Sequence, residues 1–136
     1  MTTDTNAPGT AWMQIVKKKG TSDFATSFTA DASLQTSALS KAVVGPTLIG
    51  AFFAATSTMY EHFVFTAETV DGVKTYLEWD GIYAGKSVAG ATLLTRNESG
   101  LINNIKLFQS PFAVVREFSS GLKERLAGTL GQDFFS

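Results

Sequence analysis

The stretch from His62 to Gln109 constrains the fold more than any other part of the chain. It reads as four strands divided by turn residues: HFVFTAETV, DG, VKTYLEWDGIY, AGK, SVAGATLLTR, NESG and LINNIKLFQ. Asp71-Gly72 lies between two runs rich in β-branched and aromatic residues, and glycine accepts the positive φ that a two-residue hairpin turn requires. Asn97-Glu98-Ser99-Gly100 is a second turn and Ala84-Gly85-Lys86 a third, so the stretch predicts an antiparallel meander. Alternation along its second strand sets Leu77, Trp79, Gly81 and Tyr83 on one face and Tyr76, Glu78, Asp80 and Ile82 on the other. Both faces mix apolar and polar residues. A sheet with one side in water alternates more cleanly, which predicts partial cover on both sides.

The flanks read as helices laid against that sheet. Residues 1–9 are a polar tail. Thr10 is a candidate cap for a first helix with Trp12, Ile15 and Val16 on one face, ended by Gly20 after Lys17, Lys18 and Lys19. Thr21 or Ser22 caps a short second helix carrying Phe24 and Phe28 on one side, and ASLQT at 32–36 reads as a lone strand. Gly45-Pro46 opens a third helix with two apolar rows, Leu48, Phe52, Ala55 and Met59 beside Ile49, Phe53 and Tyr60. A face that wide suits a helix lying across a curved sheet. Ser110-Pro111 starts the last helix, with a stripe of Val115, Phe118, Leu122 and Leu126, and Gly131 closes it. Residues 10–130 then form one domain. Phe134 and Phe135 in the tail 131–136 are expected to pack on that domain or on a partner subunit.

The composition removes several function classes. With 136 residues the chain fits one domain that buries about two-thirds of its unfolded surface. Eleven phenylalanines call for large apolar walls, around either a core or a cavity. A net charge of −1 leaves no basic footprint for nucleic acid or an anionic membrane. There is no cysteine and one histidine, so disulfides, thiolate catalysis and His-rich or Cys-based metal sites are excluded, and no cofactor is expected. The first ten residues lack the pattern of a signal peptide, and no apolar run approaches the roughly 20 residues of a membrane span, so the expectation is a cytoplasmic protein.

Three stretches carry a likeness to a known family. FATSFTADASL at 24–34 resembles the passage from second helix to first strand in the NTF2-like superfamily, and GPTLIGAFFAAT at 45–56 resembles its third helix. YLEWDGIYAGKSVAGATLLTRNESGLINNIKLFQSP at 76–111 resembles its closing strands, including Gly90 after the AGKSVA turn and the terminal proline. This superfamily holds ketosteroid isomerase, SnoaL-like polyketide cyclases and limonene epoxide hydrolase. The resemblance, over roughly residues 20–127, implies an α+β cystatin-like cone: a bent, mostly antiparallel sheet wrapped around N-terminal helices and closed by a C-terminal helix. It also implies an apolar cavity at the wide end and, through the outer sheet face, a homodimer. Fold alone does not fix function.

Isomerases of the group resemble one another in two carboxyls, one acting as base and one kept protonated by apolar burial. Those positions fall here on Thr36 and Thr92, so the pair is absent. The hydrolases' arginine flanked by two aspartates has no counterpart among Arg96, Arg116 and Arg125. A cyclase-like reaction needs one acid or base in a shaped cavity. His62, at the start of the first meander strand, is the candidate, because imidazole suits proton transfer near neutral pH. Glu78 and Asp80 face away from Trp79. By parity the pocket set is Leu77, Trp79, Thr92, Leu94, Ile105, Leu107 and Gln109 from the strands, roofed by Phe52, Phe53 and Tyr60. The function expected is binding of a small apolar or aromatic molecule, with SnoaL-like cyclase or isomerase activity left open. The alternative is a non-enzymatic ligand-binding or dimerisation module.

Overall fold

The computed structural model describes residues 7–19 and 21–135. Its elements are α1 (Thr10–Val16), β1 (Phe28–Thr36), β2 (Val43–Val44), α2 (Pro46–Thr56), β3 (His62–Asp71), β4 (Lys74–Tyr83), β5 (Lys86–Arg96), β6 (Ile102–Ser110) and α3 (Phe112–Arg125). Two short 3-10 segments, Phe24–Ser27 and Gln132–Phe134, complete them. The strands form one mixed, curved sheet in the order β2-β1-β6-β5-β4-β3, giving the α+β architecture expected. No helix among the described residues is long and apolar enough to cross a membrane.

The meander forms because its turns are chemically local. Asp71 pairs with Lys74, so the first turn is Gly72-Val73, one residue later than the Asp71-Gly72 expectation, with Gly72 at φ 61°. Ala84 and Gly85 both take positive φ, the backbone of a tight hairpin whose twist matches its strands. The third loop is organised by Asn97, whose Oδ1 accepts the N–H groups of Ser99 and Leu101 at 2.9 and 3.0 Å.

The sequence 32–36 is no lone strand. It is the second half of β1, which runs parallel to β6 with Leu34 opposite Ile105 and Thr36 opposite Leu107. That pairing joins segments some seventy residues apart in the chain, beyond the reach of any local pattern. Several helix boundaries also move. Gly9, rather than Thr10, is the N-cap of α1, and the Thr10 hydroxyl donates to Ala7 O at 2.8 Å. Gly20, expected to end that helix, lies outside the described residues, as do residues 1–6 of the tail. The second helix is a single 3-10 turn, because Phe28 already opens β1, yet Phe24 and Phe28 still pack with ring centroids 4.7 Å apart. Pro111 is the N-cap of α3 instead of lying in its first turn. The helix ends at Arg125, well before Gly131, with the Leu126 N–H bonded to Leu122 O. Beyond it the chain folds back on the domain: the Ser40 hydroxyl donates to Asp133 O at 2.6 Å, and Lys41 pairs with Asp133 while lying over the Phe134 ring.

The core lies between the inner sheet face and the helices. Leu34, Leu77, Leu94, Ile102 and Ile105 meet Ile49 and Phe52 from α2 and Phe118 and Leu122 from α3. The outer face is open in the single chain, with Tyr76, Ile82, Val64 and Phe108 exposed beside Glu78 and Asp80. A bulge in β3 between Phe65 and Ala67 changes which side its later residues face, pairing Glu68 with Leu77. The Glu68 carboxylate then accepts the Gly9 N–H at 2.8 Å and anchors the start of α1 against the sheet.

Candidate functional site

Register across β3 to β6 aligns Phe65, Trp79, Gly90 and Gln109 in one inward row. Gly90 is the gap in that row. A Cβ there would stand 2.3 Å from Trp79 Cζ2 and 2.4 Å from Phe108 O, so the indole occupies the space that any other residue would fill. Trp79, 2% exposed, stacks on Phe63 with centroids 4.7 Å apart and meets Tyr60 edge-on at 5.6 Å. Tyr60 stacks in turn on Phe118 of α3 at 5.1 Å. From the other side α1 brings Trp12 edge-on to Phe53 of α2 at 5.4 Å. These walls line a partly open chamber of about 200 Å³.

Of the residues expected to line a pocket, Phe52, Phe53, Tyr60, Trp79, Thr92, Leu107 and Gln109 border this chamber. Leu77, Leu94 and Ile105 do not, although they face the same side. The row Leu34–Ile105–Leu94 is packed solid, with all three residues at 0% exposure, so the space ends before reaching it. Sequence reasoning missed Trp12, Met13 and Val16 of α1, Thr56 and Ser57 at the C-terminal end of α2, Phe63 and Phe65 of β3, and Phe118 of α3. Alternation along β3 carries a signal for Phe63 and Phe65, and the helix stripes carry one for Trp12, Val16 and Phe118. Met13, 37% exposed and off the stripe, has none.

Two of the chamber's polar groups are paired with each other. Gln109 Nε2 donates to Tyr60 Oη at 2.7 Å. Gln109 Oε1 and Trp79 Nε1 are buried and have no hydrogen-bond partner among the described residues. Burial pushes the Tyr60 phenol well above its ordinary pKa of 10.0, with the Gln109 hydrogen bond opposing it, so the hydroxyl stays protonated at neutral pH. None of the lining residues carries a carboxylate, imidazole, ammonium or guanidinium group.

His62, the acid–base candidate, is exposed, pairs with Ile82 and does not border the chamber; its neighbour Phe63 does. Glu78 and Asp80 are exposed on the same outer side, opposite Ala67 and Val64 of β3. The Thr36 hydroxyl is occupied locally, accepting the Ala38 N–H at 3.2 Å, whereas Thr92 lies buried at the chamber wall. Arg96 donates to the Thr75 hydroxyl at 3.0 Å, Arg116 lies over the Phe112 ring, and Arg125 donates to Gly121 O. No group of three or more metal-ligating side chains occurs among the described residues.

No protein-family model matches the chain, and no curated protein matches it by sequence. Solved structures do. An uncharacterised bacterial protein with a cystatin-like fold from Silicibacter pomeroyi is 21% identical, with a TM-score of 0.78 over 90% of this chain and 88% of that one. A steroid delta-isomerase from Pseudomonas aeruginosa is 17% identical, with a TM-score of 0.76 over 87% and 88%. A putative isomerase of the SnoaL-like family from Agrobacterium tumefaciens is 18% identical, with a TM-score of 0.51 over 63% and 76%. The fold is therefore the NTF2-like, cystatin-like one that the sequence resemblance implied.

Proposed function

We propose that this NTF2-like fold serves to bind a small, neutral, mainly apolar molecule in the chamber between α1, α2 and the inner sheet face. The observation that carries the reading is the chamber itself, about 200 Å³ of aromatic-walled space beside a row packed to zero exposure. An occupant of that space would gain contacts with the aromatic walls. Binding is favoured over proton-transfer chemistry because the lining holds no base that works at neutral pH: Tyr60 keeps its proton, and the remaining polar groups are amide, indole and hydroxyl. Native mass spectrometry of the protein purified from its own cells tests this. A retained small-molecule mass is expected, released on denaturation. An empty protein that also shows no thermal shift with a panel of small apolar compounds would sink the idea.

The same proposal includes a second copy of the chain on the outer sheet face. Val64, Tyr76, Ile82 and Phe108 stand exposed there around Glu78, Asp80 and Lys106, a mixture suited to an interface with an apolar centre. Sedimentation analysis should give a dimer that Phe108→Glu converts to monomer. A wild-type monomer at high concentration refutes this part alone.

A further inference from the structure

Of the helices around the chamber, α1 has the least packed beneath it. α2 seats Ile49 and α3 seats Leu122 in the solid core, both at 0% exposure. In α1 only Trp12 and Val16 are buried, and both line the chamber, so part of the surface they turn inward meets space rather than side chains. Seven residues also do not hold a helix by themselves, since isolated helices shorter than about 12 residues are marginal in water. The helix is kept in place by a few contacts on either side of the chamber.

Those contacts lay α1 across the opening. At its start Gly9 donates its N–H to the Glu68 carboxylate of the edge strand β3 at 2.8 Å. Gly9 also lies so close to Phe65 that a Cβ would stand 2.3 Å from Cδ2 of that ring. Trp12 rests edge-on against Phe28 of β1 and Phe53 of α2, at 6.4 and 5.4 Å. β3 and β1 lie near opposite edges of the sheet, so α1 bridges the chamber from one side to the other. Met13 and Ser57 border the chamber and are exposed, so the chamber meets water beside this helix. The tie at Glu68 is replaceable: the residue is exposed, and water can take over its carboxylate at modest net cost.

We propose that α1 is a ligand-responsive strap: it lifts from Phe65 and Glu68 to admit the occupant, which then clamps it by filling the space under Trp12, Met13 and Val16. A molecule that touches α1 only when the strap is closed favours the closed state. The clamp rests on the binding reading above, whereas the lifting is tested without a ligand.

Amide hydrogen exchange of nitrogen-labelled wild-type protein compares α1 with α3 and with the β4–β5 ladder. The Met13 and Lys17 amides, bonded to Gly9 O and Met13 O at 2.8 and 2.9 Å, report the strap. They should exchange at least about a hundredfold faster than the slowest ladder amides, at rates that low urea leaves unchanged, as for a local opening. Glu68→Ala should speed α1 exchange about fivefold, as for the net loss of one hydrogen bond, and leave α3 and the ladder as they are. Glu68→Gln, which keeps an acceptor in place, should stay near wild type. The neutral fluorophore N-phenyl-1-naphthylamine serves as the ligand. At ten times its Kd it should slow the α1 amides about tenfold, and Glu68→Ala should raise its association and dissociation rates together with little change in Kd. Wild-type α1 amides as slow as the ladder, a comparison that needs no variant, overturn the strap and leave the binding reading standing. A Glu68→Ala effect spread evenly over all elements does the same, because it assigns Glu68 to global stability. Bound dye that leaves α1 exchange unchanged reduces the opening to fraying of a short helix and overturns the clamp. A dye that does not bind removes the clamp too, and together with an empty native mass spectrum it removes the binding reading as well.

Discussion

Replacing Gly90 with alanine inserts one methyl group where the site has no room. The new Cβ would stand 2.3 Å from Trp79 Cζ2, 2.6 Å from Cε2 and 2.4 Å from Phe108 O, about 1 Å inside the 3.4 Å at which ordinary contact begins. The carbonyl belongs to β6, whose Phe108 is paired with Ala91 next to the substituted residue, so it moves only if the ladder moves. The indole is the softer obstacle, but Phe63 and Tyr60 hold it at 4.7 and 5.6 Å. Overpacking of this kind costs about 1–3 kcal/mol, and a backbone obstacle puts Gly90→Ala near the upper end. Alanine recovers about 0.5–1 kcal/mol over glycine within a strand. The net expectation is a loss of about 2 kcal/mol, or roughly 6–10 °C in Tm for a domain of this size. Urea denaturation followed by circular dichroism measures it in four proteins: wild type, Gly90→Ala, Trp79→Leu and the double variant. With the indole gone, Gly90→Ala should cost at least about 1 kcal/mol less, the remainder being the clash with the carbonyl. A single variant within about 0.5 kcal/mol of wild type, or equal costs in both backgrounds, would refute the claim that the gap at Gly90 exists to seat Trp79.

Three further outcomes are expected. Gln109→Leu leaves the buried Tyr60 hydroxyl without its donor and should cost about 1–3 kcal/mol, most of it recovered when Tyr60→Phe is added; additive losses in denaturant melts would count against a coupled pair. The Tyr60 pKa is raised in the folded chain, so the unfolded chain loses its proton first: stability from this group is intact below 10.0 and falls above it, approaching about 1.4 kcal/mol per pH unit. Tyr60→Phe should flatten that alkaline decline, and parallel stability profiles for the two proteins would show the attribution to be wrong. Trp12→Ala removes a buried ring that rests on Phe28 and Phe53, so it should cost about 3–5 kcal/mol and increase binding of an apolar fluorescent dye at the opened roof; a cost below about 1 kcal/mol would mean α1 is no part of the chamber.

The parts of this fold that could be read from the sequence are those governed by neighbours in the chain. Gly72, Gly85 and Asn97 determine their turns within a few residues, and the alternation on β4 survives because β4 pairs with β5 in unbroken register. The β1–β6 pairing was hidden because parallel strands need a long connection, here the whole of α2 and the meander. Parity tells which side Leu94 and Ile105 face, yet not that the core packs solid at their end of the sheet while the chamber lies toward Trp79. The contribution of α1 was hidden for a different reason. Its seven residues are positioned by the Glu68 carboxylate on the Gly9 N–H, and Glu68 can reach only because of the bulge in β3.

The chamber's neutrality follows from the same alternation. Glu78 and Asp80 flank Trp79 in the chain, yet strand geometry sends neighbouring side chains to opposite faces, so carboxylates adjacent in sequence to the deepest aromatic residue end in water. At the two positions where the isomerase resemblance locates carboxyls, threonine stands instead. Thr36 spends its hydroxyl on the Ala38 N–H, leaving Thr92 the one of the two that borders the chamber. What remains inside is a set of groups that can donate or accept hydrogen bonds and hold their charge state across the physiological range. On the binding reading proposed above, such a wall recognises by hydrogen-bond complementarity and shape.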